Sequence, residues 1–139
     1  MSIPLEVKLS ILGIFGGAVG YLIITFWFQP VLRYRAIRSQ VISDLVFFRN
    51  VITADGLNEA MQERFKDRIE SNRRHSADLT ALYAELPLIY RGWLKLRGAN
   101  IQKAATNLMG LSNTFEYDDA TDRISAIQRN LLFKPKITD

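Results

Sequence analysis

The feature that most constrains this chain is a run of twenty residues without a charge, Leu9 to Phe28, reading LSILGIFGGAVGYLIITFWF. A helix rises about 1.5 Å per residue, so a run of this length spans roughly the 30 Å hydrocarbon core of a bilayer. A soluble helix that meets water on one side is polar on that side, and this one has no such side. The flanks agree with a span. Lys8 closes one end, and Gln29, Pro30, then Arg33, Arg35 and Arg38 close the other. Phe26, Trp27, Phe28 and Tyr34 stand where an aromatic belt would lie. A cleaved signal peptide would need basic residues first, a shorter apolar core and small residues at a cleavage site. The bulky end Phe26-Trp27-Phe28 and the following Arg33-Tyr34-Arg35 offer none, so the segment is expected to remain as an anchor.

Lys and Arg near a span favour the cytoplasmic side, and here Lys8 alone faces Arg33, Arg35 and Arg38. Residues 1–8 are therefore expected outside. Residues 9–32 form the transmembrane helix and a juxtamembrane turn, 33–134 a cytoplasmic helical bundle, and 135–139 a loose tail. The arrangement resembles that of small single-span inner-membrane proteins of bacteria with short helical cytoplasmic parts, which implies that address.

Within the span, Gly13, Gly16, Gly17 and Gly20 fall at i, i+3, i+4 and i+7, one helix face with two overlapping G-x-x-x-G patterns. Glycine lets two backbones approach closely, so dispersion contacts can drive helix association in lipid. Glycine is also common in membrane helices for no special reason. The shared face of all four favours self-association or docking onto a partner membrane protein.

After Pro30, which can end or kink a helix, the apolar residues recur every three or four positions. Ile37, Val41, Leu45, Phe48 and Ile52 form the first such series, stopped by the turn signal Ala54-Asp55-Gly56. A second helix is predicted from Asn58 to Leu86, ended by Pro87, and a third from Leu88 to Leu111 with Leu94, Ile101, Ala104, Ala105 and Leu108 inward. The last begins near Asp118 or Asp119, whose short side chains suit an N-cap, with Ile124, Ile127 and Leu131 as its apolar face. No stretch alternates as a strand would, so the fold class is all-α: one N-terminal transmembrane helix, then a small antiparallel bundle of about four helices.

Three groups of residues outside the span carry chemistry worth weighing. Tyr90, Arg91, Trp93, Lys95 and Arg97 interleave aromatic and basic side chains, and 87–115 contains no acid. Such a mixture lies well in a headgroup layer, where each basic residue contributes about 1 kcal/mol against anionic lipid. Arg33, Arg35, Arg38, Arg91, Trp93, Lys95 and Arg97 are thus the candidate membrane-surface or anionic contacts. The plainer alternative buries Trp93 with Leu94 and leaves a solvated basic face. Nucleic acid is disfavoured, because the net charge is only +4 and Arg33, Arg35 and Arg38 already serve topology.

The second group is polar. Between Ile69 and Ala77 the inward positions of the second helix fall to Asn72 and to His75 or Ser76. Buried polar groups need partners. Arg68-x6-His75 also resembles the loose Arg…His signature of HEPN-type ribonucleases, helical bundles that dimerise to pair two such motifs; that resemblance implies RNA cleavage. A polar contact between helices through Arg68, Asn72 and His75 is the preferred reading. The third group, Glu116, Asp118, Asp119 and Asp122, could hold a hard cation but lacks the spacing of a calcium loop, and carboxylates suit a helix N-terminus anyway.

Cysteine is absent and His75 is the only histidine, which removes disulfides, thiol chemistry and Cys-ligated metals. No Ser or Thr has a neighbouring base, so no catalytic residue, cofactor or metal site is expected. The expected role is a non-enzymatic, membrane-anchored interaction module: the glycine face joins copies or a partner span, and the bundle meets a cytoplasmic protein. An oligomeric, channel-like effector, for example in phage defence, is the alternative, although only Ser10, Thr25 and Gln29 would offer a polar lining.

Overall fold

The computed structural model describes residues 2–52 and 56–133, and among these the chain is all-helical. The apolar run begins α1 (Leu5–Ile23), passes through a widened π turn at Ile24–Phe28 and enters α2 (Gln29–Phe47) without a break. Pro30 neither ends nor interrupts this helix, and the juxtamembrane turn expected there is a helical one. A proline inside a helix lacks the N–H for the residue four back, and its ring crowds that residue's carbonyl. The π turn immediately before Pro30 accommodates both, with the Gln29 N–H bonding back five residues to Ile24. Residues 5–47 thus form one helix of 43 residues, the one helix among the described residues long and apolar enough to cross a membrane.

Its two halves differ in surroundings. No residue of α1 is buried. In α2, Pro30, Tyr34, Val41 and Leu45 face inward against the rest of the bundle. A single 3₁₀ turn (Arg49–Val51) follows; of the predicted turn Ala54-Asp55-Gly56, only Gly56 lies within the described residues, at φ +69°. The loose tail expected at 135–139 also lies outside them.

α3 (Glu59–Glu85) starts where predicted, with the Asn58 side chain accepting from the Met61 N–H at 2.9 Å. Leu86 and Pro87 end it. The single third helix expected over Leu88–Leu111 is in fact two, α4 (Leu88–Leu96) and α5 (Ile101–Ser112). Gly98, at φ +85°, takes the left-handed position that closes α4, with Gly98 N–H on Lys95 and Ala99 N–H on Leu94, both at 3.0 Å. Asn100 then caps α5 through the Lys103 N–H at 2.9 Å. Stop and start signals, Gly98 and Asn100, stand two residues apart, and the regular apolar spacing across them conceals the corner.

α6 (Tyr117–Asn130) begins ahead of the predicted start, and neither Asp118 nor Asp119 caps it: Glu116, two to three residues earlier, holds the N-cap position without a side-chain bond. Asp119 instead accepts from Thr114 Oγ1 at 2.7 Å and Arg123 Nε at 3.1 Å, tying the α5–α6 corner. α3 lies along α5, α5 along α6, and α2 along α3. Leu79, Ala104, Leu108 and Ile127, all fully buried, meet at the centre. Small Ala104 and Ala105 let α3 and α5 come close enough for the Ser76 hydroxyl to donate to the Ala105 carbonyl at 2.7 Å.

Candidate membrane-surface site

α4 is short, but its residues are sorted sharply by environment. Leu94 is 4% exposed and belongs to the core, whereas Leu88, Ile89 and Leu96 are 78%, 69% and 89% exposed on the opposite side. Trp93, which the plainer sequence reading would bury beside Leu94, is exposed instead. Large apolar side chains in water are costly at about 25 cal/mol per Å², so a face of this kind is suited to an apolar partner. The face is continuous with the uncharged run: Ile89, Tyr90 and Trp93 share an apolar groove of about 340 Å³ with Trp27, Phe28, Val31 and Pro87, at the end of that run.

Beside the groove and sharing Val31, Tyr90 and Trp93 with it is a basic cleft of about 430 Å³. Arg35 and Arg38 come from α2, Arg97 from the end of α4, and Tyr34 and Leu131 from its floor, with no acidic residue in the lining. Tyr34 and Tyr90 meet edge to face at 6.2 Å, Tyr90 stacks on Trp93 at 5.4 Å, and the Arg97 guanidinium lies over the Trp93 ring at 4.9 Å. Arg38 is aimed by the end of α6, donating to the Leu131 and Leu132 carbonyls at 2.6 and 2.9 Å. Leu132 sits there in the left-handed region at φ 57°, so the guanidinium holds a backbone turn that a leucine rarely adopts. Burial pushes the Tyr34 hydroxyl up to about 12, against the opposing pull of Arg38. Burial also raises Tyr90, while Arg35, Arg38 and Arg97 lower it.

Of the seven predicted surface contacts, the fold gathers Arg35, Arg38, Trp93 and Arg97 and disperses the others. Arg33 pairs with Glu85 at 3.4 Å in an exposed bridge worth at most about 1 kcal/mol. Arg91 turns back to cap α3, donating to the Leu86 carbonyl at 2.9 Å and the Ala84 carbonyl at 2.5 Å. Lys95 is exposed in the last turn of α4, where its charge suits the helix dipole. Gly13, Gly16, Gly17 and Gly20 line one face of α1, and a Cβ at any of them would meet no atom within 4 Å.

The inward polar residues of α3 are buried as the sequence indicates, but they serve separate elements. Arg68, 3% exposed, donates to the Leu111 and Thr114 carbonyls at 3.4 Å, compensating the negative end of α5. Desolvation lowers its pKa. His75 Nε2 lies 2.7 Å from Asp44 Oδ2, which also accepts from Ser71 Oγ at 2.5 Å. A carboxylate only accepts, so His75 carries its proton on Nε2. Ser71 and His75 both address Asp44 rather than each other, and Arg68 faces a different helix from His75. Asn72 is buried, with its Nδ2 unpartnered among the described residues. Among these residues no three His, Asp or Glu side chains gather as metal ligands.

Sequence reasoning missed Asp44 as the partner of His75; it singled out Tyr34 and Tyr90 as belt and surface aromatics, but not their meeting with Arg35 and Arg38 in one cleft. Val31, Tyr34, Arg35 and Arg38 do share a helix face at i, i+3, i+4 and i+7, the one local signal for the cleft. Comparison with protein-family models, curated proteins and solved structures yields no match to this chain.

Proposed function

We propose that the chain is a non-enzymatic, single-span anchor of a bacterial inner membrane, N-terminus outside, whose cytoplasmic bundle is an interaction module. The observation that carries this reading is the unbroken helix Leu5–Phe47: its first half has no buried residue, and its second half supplies Val41 and Leu45 to the core. A helix continuous through the membrane edge couples span and bundle mechanically. How spans pack therefore sets how bundles face one another. The open glycine face supports close packing of two spans, either between copies or with a partner membrane protein. At the far end of α2, exposed Val46 and Phe47, with Tyr117 of α6 near Val46, support contact with a cytoplasmic protein.

The test is the subunit count of the full chain in nanodiscs by native mass spectrometry, for the natural sequence and for Gly16→Leu and Gly17→Leu. Loss of the oligomer or of a co-purifying span, with insertion intact, is the expected outcome. Unchanged assembly in both variants overturns the role of the glycine face. A closed ring of five or more copies overturns the adaptor reading in favour of a channel-like effector.

A further inference from the structure

We propose that the basic cleft and the apolar groove together form a binding site for one anionic phospholipid. The phosphate would lie among Arg35, Arg38 and Arg97, and an acyl chain along Trp27, Phe28 and Ile89. The inference rests on reading α1 as a membrane span and adds a specific ligand to it.

Two independent features support the site. The first is charge: three guanidinium groups line a cleft of about 430 Å³ that contains no carboxylate. Neither Arg35 nor Arg97 makes an ion pair among the described residues, whereas Arg33 and Arg123 each have an acidic partner. The second is the Tyr34 hydroxyl. It lines the same cleft, its residue is 2% exposed, and it has no hydrogen-bond partner among the described residues. A buried hydroxyl without an acceptor is destabilising, and a phosphate oxygen in the cleft supplies that acceptor. Arg38, fixed by the Leu131 and Leu132 carbonyls, is preorganised rather than free to swing.

The depth is right for a lipid rather than a soluble anion. Arg35 follows the last residue of the apolar run, Phe28, by seven positions, or about 10 Å along a helix. Helical side chains lean towards the N-terminus, here towards the bilayer, and the headgroup layer is about 5–8 Å thick. The cleft opens beside an apolar groove formed by the span's own last turn, so one molecule with a charged head and an apolar tail satisfies both.

The full chain in a neutral detergent is titrated with phosphatidylglycerol or phosphatidylcholine, and bound lipid is counted by native mass spectrometry. One phosphatidylglycerol per subunit, preferred over phosphatidylcholine, is expected. Arg35→Gln with Arg97→Gln should weaken it about thirtyfold, at about 1 kcal/mol for each charge. Tyr34→Phe should weaken it about fivefold while leaving the fold at least as stable, because the lost hydroxyl bonds to no described protein group. Equal retention of the two lipids, or no effect of these variants, overturns the site. Displacement of the lipid by excess inorganic phosphate also overturns it, and identifies a free-anion site instead. Flotation with liposomes is read in parallel: a chain that floats with neither lipid refutes the span itself, whereas one that floats with both and shows no preference refutes only the lipid site.

Discussion

Replacing Asp44 with alanine removes the one acceptor shared by His75 and Ser71, and the structure indicates how the cost divides. The Ser71 hydroxyl is partly buried and can turn to water or to its own helix, so its loss is small. The His75 side chain is only 8% exposed, and its Nδ1 already has no partner among the described residues; without Asp44 neither ring nitrogen has one. A hydrogen bond to a charged acceptor contributes about 1.5–3 kcal/mol, reduced here because the Asp44 carboxylate is one-third exposed. Asp44→Ala should therefore cost about 2 kcal/mol, or roughly 10 °C in Tm for a bundle of this size. His75→Leu, similar in volume, should cost about 1 kcal/mol, because the exposed side of Asp44 can be hydrated. The double variant should cost only about 1.5 kcal/mol, since leucine leaves no polar atom stranded. That deficit, about 1.5 kcal/mol below the sum, is the coupling of the pair. Urea unfolding of the full chain in detergent, followed by circular dichroism at 222 nm, measures all four corners of the cycle. Additivity within about 0.5 kcal/mol would refute the assignment of His75 as a structural link to α2.

Arg38→Met keeps the apolar stem but frees the Leu131 and Leu132 carbonyls, and should lower stability by about 2 kcal/mol; thermal unfolding in detergent reads this directly. The Asp119 carboxyl is held below the usual carboxylate value, first by Thr114 and then by Arg123. A depressed pKa contributes stability above the unfolded value of about 4 and loses it as pH falls further. Asp119→Asn should accordingly lower Tm near neutrality, with the difference from the natural chain shrinking between pH 4 and lower values on a Tm-against-pH curve. At Gly110, an added Cβ would collide only with the mobile end of Arg123. Gly110→Ala should thus be stabilising by a few tenths of a kcal/mol, helix propensity outweighing a disturbed, half-exposed Arg123–Asp119 pair; a loss above about 1 kcal/mol in the same melt would contradict it.

What the sequence determined by itself is whatever depends on neighbours within one or two helical turns. The uncharged run of twenty residues, the glycine face, the cap at Asn58 and the inward series Leu94, Ile101, Ala104, Ala105 and Leu108 are all of this kind. So was the break in apolarity on α3, since Arg68, Asn72 and His75 stand on the inward side of a predictable helix. Two local signals are outweighed by a stronger pattern: Gly98 with Asn100 lies inside a regular apolar series, and Pro30, expected to end or kink the helix, stands in one that continues by widening. The tertiary structure alone decided which side chains meet. Asp44 and His75 are 31 residues apart, and Arg38 reaches the Leu131 carbonyl across 93. Periodicity tells which way each residue faces about its own axis, but not which helix stands opposite or at what height. Those follow from packing α2, α3, α5 and α6 around Leu79, Leu108 and Ile127, and that packing brings Arg35, Arg38, Tyr90 and Arg97 to one cleft at the end of the bundle next to the uncharged run.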